Sequence, residues 1–245
     1  TQGDNLAGPF YALGTTPLQN KLRENSPEIQ QVWLADDATG GGSIRNLRPW
    51  WDTIINDGGK FGYYVNESKS WIILKDPAQM QLARDMFQGT TIKFTTAGKR
   101  HLGAALGSEE FKIQYVSEKV EKWCEEIHQL AEICKSQPQA AYAAFTHGER
   151  HRFSYFMRTI ADMRDLMQPL DDIINNELIP AILGTDAFSP VDRELFSLPL
   201  RHGGLGLPVF SNIADEEYLM SKRLTAPLTT IIVTHKESRS LTERK

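Results

Sequence analysis

Between residues 113 and 134 the apolar side chains recur at alternating steps of three and four: Ile113, Val116, Val120, Trp123, Ile127, Leu130 and Cys134. No other stretch limits the fold as tightly. A stripe at the 3.6-residue period, held over about six turns, specifies an amphipathic helix that buries one face. Such a stripe is core packing before it is a cofactor or dimer seam. A helix of that length needs others to cover it, and the sequence downstream supplies them. Residues 140–145, 149–164, 166–183, 190–198 and 210–223 read as helices, with loops at 186–190 and 201–208. Residues 108–224 are therefore predicted to be a helical region, and the charged stretch 225–245 a flexible tail.

Upstream the pattern is mixed. Residues 5–25 are spaced as a helix, with Leu6, Phe10, Leu13, Leu18 and Leu22 on one face and Pro9 and Pro17 as its bounds or breaks. Residues 30–35 read as a buried strand. Ser43 caps a helix over 44–55 that Gly58 and Gly59 close, and Asp76-Pro77 opens another to about Phe87. Residues 61–65 and 70–75 read as two strands, and 91–95 with 100–104 as a hairpin about Thr96–Lys99. The fold class predicted is α+β, with a mixed part over 1–107 and the helical part over 108–224.

Composition narrows the function classes. The 245 residues carry a net charge of −4, against the basic excess of a strong nucleic-acid binder, although an acidic chain can still carry a local basic face. No apolar run approaches the roughly 20 residues of a membrane span. No signal peptide opens the chain, so an intracellular setting, cytoplasmic or nuclear, is expected. Cys124 and Cys134, ten positions apart on one helix, are too far apart to bridge and read as reduced core thiols.

The chemistry-bearing segment is Val32-Trp33-Leu34-Ala35-Asp36-Asp37-Ala38-Thr39-Gly40-Gly41-Gly42. Two carboxylates side by side at the end of a buried strand repel each other and lose solvation, a cost that a hard cation such as Mg²⁺ offsets. Asp-Asp before glycines is also ordinary turn chemistry. Read with three further blocks, the segment resembles the reverse transcriptases of retroelements. Gln2-Gly3-Asp4-Asn5-Leu6-Ala7 resembles that family's Gln-Gly block. Leu34-Ala35-Asp36-Asp37 resembles its aromatic-x-Asp-Asp turn, with Leu34 where the family usually has Tyr or Phe. Gly62 to Ser70 resembles its Gly-x-x-x-Asn-x-x-Lys block, and His101-Leu102-Gly103-Ala104 its Leu-Gly hairpin. Ala140 to Gly148 and Glu194 to Gly206 resemble the helical region that follows the palm.

The resemblance implies a partial polymerase palm, a small antiparallel sheet with helices, followed by a thumb-like helical region. It implies an RNA-directed DNA polymerase using two Mg²⁺ ions, with an RNA or DNA template, a DNA primer and dNTP as partners. Asp36 and Asp37 would be metal ligands, and Lys69 would stand near the leaving phosphates. Asn66 would position its loop, Gln2 and Gly3 would contact template, and Leu102 and Gly103 the primer end. The family's first catalytic aspartate and its fingers precede the Gln-Gly block, so an upstream segment is expected to supply them and this chain alone to be inactive. A non-catalytic retroelement remnant, binding nucleic acid or a protein partner at most, is the alternative. A third reading is zinc on His147 and His151, which share a helix face, but their order around Glu149 is not the His-Glu-x-x-His of zinc proteases. Lys135, Arg150, Arg152 and Arg158 are predicted to form a salt-bridged face rather than a phosphate groove.

Overall fold

In the computed structural model, which describes residues 4–234, the chain opens with helix α1 (Ala7–Asn25). Its inner face is shorter than the spacing predicts: Leu18 and Leu22 are buried, while Leu6, Phe10 and Leu13 are exposed. Pro17 lies inside the helix and lacks the amide that would close the Leu13 carbonyl. Around it, the hydroxyls of Thr15 and Thr16 donate back to the carbonyls of Tyr11 (3.0 Å) and Ala12 (2.7 Å). The antiparallel strands β1 (Gln30–Leu34) and β2 (Asp37–Gly41) follow, then α2 (Ile44–Gly58), where Ser43 accepts from the Asn46 amide as the expected cap.

Beyond α2 the strands differ from expectation. Residues 61–65 are not a strand but the end of a 3₁₀ turn and an irregular segment. Strand β3 (Trp71–Ile73) pairs in parallel with β4 (Lys93–Thr95), joined through α3 (Met80–Met86). Parallel pairing needs such a crossover, and the 77–87 helix provides it. The core of this part gathers Leu18, Leu22, Ile29, Trp50, Trp51, Ile54, Ile72, Leu74, Ala83 and Phe87. Residues up to Thr96, with those from Ala226, form one compact unit and residues 97–225 the other.

The second unit begins with the hairpin of β5 (Gly98–His101) and β6 (Ala104–Gly107), so the predicted pairing of 91–95 with 100–104 is replaced by one whose turn lies five residues later. Helix α4 (Glu109–Cys134) then carries the 3.6-period stripe, with Ser108 accepting from the Phe111 amide at its start. Val116, Val120, Trp123, Ile127 and Cys134 are buried as the period requires; Ile113, near the first turn, is exposed. Trp123 centres an aromatic cluster, with ring centroids 4.9 Å from Phe153 and 4.8 Å from Phe156, and Phe153 lies 5.2 Å from Phe210. Burying each such side chain contributes about 1.5–3 kcal/mol.

Two helical runs are composite, and the first joins the predicted helices 140–145 and 149–164 into one. α5 (Pro138–Ala144) runs through a π turn over Phe145–Glu149 into α6 (Arg150–Thr159). α7 (Gln168–Ile173) runs through another over Ile174–Leu178 into α8 (Ile179–Leu183). α9 (Pro190–Ser197) and α10 (Phe210–Thr234) complete the order. Residues 225–234, expected as part of a flexible tail, are helical; 235–245 lie outside the described residues. Among the described residues the strands form three two-stranded sheets, two antiparallel and one parallel, rather than one small antiparallel sheet. The class is thus mixed helix and strand with helix predominant. No helix among the described residues is long and apolar enough to cross a membrane, and both cysteines are free thiols.

Candidate functional site

Asp36 and Asp37 stand at the tip of the β1–β2 hairpin. Leu34 pairs with Asp37, which leaves Ala35 and Asp36 as a two-residue turn. Ala35 has φ of 51°, a left-handed conformation that costs a residue bearing a Cβ about 1–2 kcal/mol. Both aspartates are exposed, and neither carboxylate has a hydrogen-bond or ion-pair partner among the described residues. The strand before them is not buried as predicted: Val32 and Leu34 are exposed, while Gln31 is buried and Trp33 half-buried. The alternation is inverted because Gln31 is fully used inside. Its amide nitrogen donates to the Gln19 carbonyl (2.8 Å), and its oxygen accepts from the indoles of Trp33 (3.2 Å) and Trp50 (3.4 Å). The glycines after the aspartates let β2 lie against its neighbours. A Cβ on Gly40 would meet the Trp50 ring at 3.3 Å, and one on Gly42 would meet Ile29 at 2.5 Å.

Two tyrosines surround the turn. The Tyr63 hydroxyl donates to the Asp36 carbonyl (2.9 Å), and its ring packs edge-on to Trp33 with centroids 5.0 Å apart. Burial pushes the Tyr63 phenol up to about 12, with Tyr11, Asp37 and Asp36 adding to the rise and the nearby Ala38 backbone opposing it. The phenol of Tyr11 is raised by burial and then by the charge of Asp36. Both therefore remain neutral hydroxyls at ordinary pH.

The block containing Tyr63 continues to Asn66 and Lys69, both exposed. Asn66 behaves as the expected loop-positioning residue. Its Oδ1 accepts from the Lys69 amide (3.2 Å) and the Ser68 hydroxyl (2.9 Å), and its carbonyl accepts from Ser70 Oγ (2.9 Å). Glu67 secures the same turn by accepting from the Thr91 amide (3.2 Å). Neither Asn66 nor Lys69 bonds to Asp36 or Asp37; Tyr63 is the residue of this block that touches the aspartate turn. Gln2 and Gly3 lie outside the described residues.

In the other unit, Leu102 and Gly103 form the β5–β6 turn, with φ of 50° and 88°. That is the sign pattern of a type I′ turn, which seldom takes Leu at its first position. Two hydroxyls hold it: Tyr155 donates to the Leu102 carbonyl, and Tyr115 to the Gly103 carbonyl (2.9 Å). The strand pattern put the turn at Thr96–Lys99, the resemblance alone marked Leu102 and Gly103 as a hairpin, and neither pointed to the two tyrosines, which carry no motif.

Of the four basic side chains predicted to form a salt-bridged face, three are ion-paired. Arg152 pairs with Glu126 and Glu149, Arg158 with Glu217 and Lys135 with Glu132, while Arg150 donates to the Gly206 carbonyl (3.1 Å). His147 and His151 are exposed on and beside the π turn. Among the described residues no three His, Cys, Asp or Glu side chains are grouped to hold a metal ion, at these histidines or at Asp36 and Asp37. Comparison of the chain with family models, curated proteins and solved structures gave no match.

Proposed function

We propose that the chain is part of an RNA-directed DNA polymerase of a retroelement, in which Asp36 and Asp37 are metal ligands. The observation that carries this reading is the aspartate turn itself. Two adjacent carboxylates, exposed and unpaired among the described residues, sit on a two-residue turn whose Ala35 is held at positive φ. Backbone strain of that kind concentrates at functional sites. The oxygen donors suit Mg²⁺ in type, and as two carboxylates they form an incomplete set. Mg²⁺ held there would stabilise the attacking 3′ oxygen and the leaving pyrophosphate.

The chain's own residues take the remaining roles. Lys69, exposed and free to move, would offer positive charge or a proton to the leaving phosphates, and Asn66 would hold its loop. Leu102 and Gly103, rigid under two tyrosine hydroxyls, would present a fixed turn to the primer end. Gln2 and Gly3 would contact the template. This assigns the mixed part of the fold to a partial palm and the helical part to a thumb-like region.

The second reading, a non-catalytic piece that binds nucleic acid or a protein partner, draws on Leu34. An exposed aliphatic side chain stands where the family's aromatic residue is expected. Primer extension separates the two. The product of the full reading frame containing this chain is expected to extend a DNA primer with Mg²⁺ and dNTP. Asp36→Asn is expected to cut the rate at least about a thousandfold, because a lost metal ligand removes several kcal/mol of charge stabilisation. This chain alone is expected to give no extension. Extension unaffected by Asp36→Asn, or none from the complete product, would sink the polymerase reading.

A further inference from the structure

We infer that Tyr63 is a positioning residue of the aspartate turn, its hydroxyl holding the peptide that joins Asp36 to Asp37 so that the two carboxylates keep one arrangement. The inference rests on the metal-ligand reading of Asp36 and Asp37 and adds a residue to it.

The geometry comes from hairpin register. Leu34 and Asp37 close the two-residue turn and exchange hydrogen bonds, so the next pair, Trp33 and Ala38, is a non-bonded one. The Tyr63 hydroxyl donates its proton to the Asp36 carbonyl at 2.9 Å. One phenol thus holds the peptide unit that joins the two aspartates.

Tyr63 is itself fixed. Its amide donates to the Gly58 carbonyl (3.0 Å) at the end of α2, and its ring rests on Trp33. The approach to α2 is close enough that a Cβ on Gly58 would lie 2.6 Å from the Tyr63 carbonyl oxygen. The hairpin tip, a two-stranded element with one strained residue, is thereby tied to a helix of the core. A two-stranded hairpin alone is marginally stable, so without the tie the turn has little else to hold it. Tyr64, the next residue, is 81% exposed and serves as the natural control.

The test uses the ¹⁵N-labelled chain and needs no catalysis. Without metal, Tyr63→Phe is expected to speed exchange of the Asp37 amide, which closes the turn on Leu34, about tenfold, the worth of one hydrogen bond. Protection in α2 should stay unchanged, and Tyr64→Phe should do nothing. With millimolar Mn²⁺, the amides of Asp36, Asp37 and Ala38 are expected to broaden in the wild type. In Tyr63→Phe the Mn²⁺ concentration needed should rise about tenfold, as when the support of a ligand is lost. Unchanged Asp37 exchange overturns the tie. Faster exchange with an identical Mn²⁺ response overturns the positioning role and leaves the metal reading standing. No broadening at the turn in the wild type overturns the metal reading and the positioning role with it, while the exchange rates still report whether the tie exists.

Discussion

Asp171→Ala is expected to destabilise the unit formed by residues 97–225 by about 3–5 kcal/mol. Asp171 is fully buried on α7, and its two oxygens accept from the amides of Phe210 (2.7 Å) and Ser211 (2.8 Å), the first residues of α10. A carboxylate there satisfies two otherwise orphaned helix donors and lies at the positive end of the helix dipole. Nearby Arg193 is also buried and donates to Asn175 Oδ1 and to the carbonyls of Leu207 (2.7 Å) and Pro208 (3.2 Å). Burial lowers the pKa of its guanidinium and the charge of Asp171 opposes that fall. Removing Asp171 strands two buried amides and leaves Arg193 without its opposing charge. Hydrogen exchange in the buried turns of α4 is the measure, since it reports this unit by itself; a loss of that size speeds exchange by about two to four powers of ten. Asp171→Asn, which keeps one acceptor, should fall between. Exchange unchanged in Asp171→Ala would mean that α10 is docked by its apolar residues alone.

Nothing local in the sequence marks Asp171. In a reading of 166–183 by periodicity, Asp171-Asp172 looks like a solvated pair, and the partners of Asp171 lie 39 and 40 residues away. The α4 stripe was legible for the opposite reason. A helix's period is written in its own residues, so Val116, Val120, Trp123 and Ile127 announce their burial. Caps are also local, and Ser43 and Asp76 cap where expected.

Strand pairing depends on distant segments, and here the reading failed. Thr96–Lys99 offered Gly98 as a turn residue, yet the chain turns at Leu102–Gly103, where Leu102 pays for a positive φ and two tyrosine hydroxyls hold the turn carbonyls. The parallel pairing of 71–73 with 93–95 was hidden because neither short run states its partner. At the candidate site the aspartates and the Asn66 turn were visible as motifs. Tyr63 was quoted within its block, but no pattern showed that its hydroxyl reaches back 27 residues to Asp36.

The second large effect is expected at Gly204, in a segment where two adjacent glycines should respond differently. A Cβ on Gly204 would lie 2.1 Å from the Leu198 carbonyl oxygen and 2.6 Å from that of Leu195. Neither oxygen can retreat cheaply. Leu195 and Leu198 close the end of α9, and the Leu198 carbonyl also accepts from the Gly206 amide (2.8 Å), while Phe196 accepts from Leu205 and Leu207. The other side of the segment is strapped too: Tyr142 donates to the Leu205 carbonyl (2.5 Å), Arg150 to that of Gly206 (3.1 Å) and Arg193 to that of Leu207. Gly204→Ala must therefore break part of this network, at a cost of about 3 kcal/mol or more. Gly203 has φ of +81° and open space around it, so Gly203→Ala should cost only the left-handed conformation, about 1–2 kcal/mol. Urea titration of both variants, followed by exchange protection in α9 and α4, reads the difference. Equal losses would show that the loop swings clear of α9, since close approach to the Leu195 and Leu198 carbonyls is the penalty that Gly204 bears and Gly203 does not.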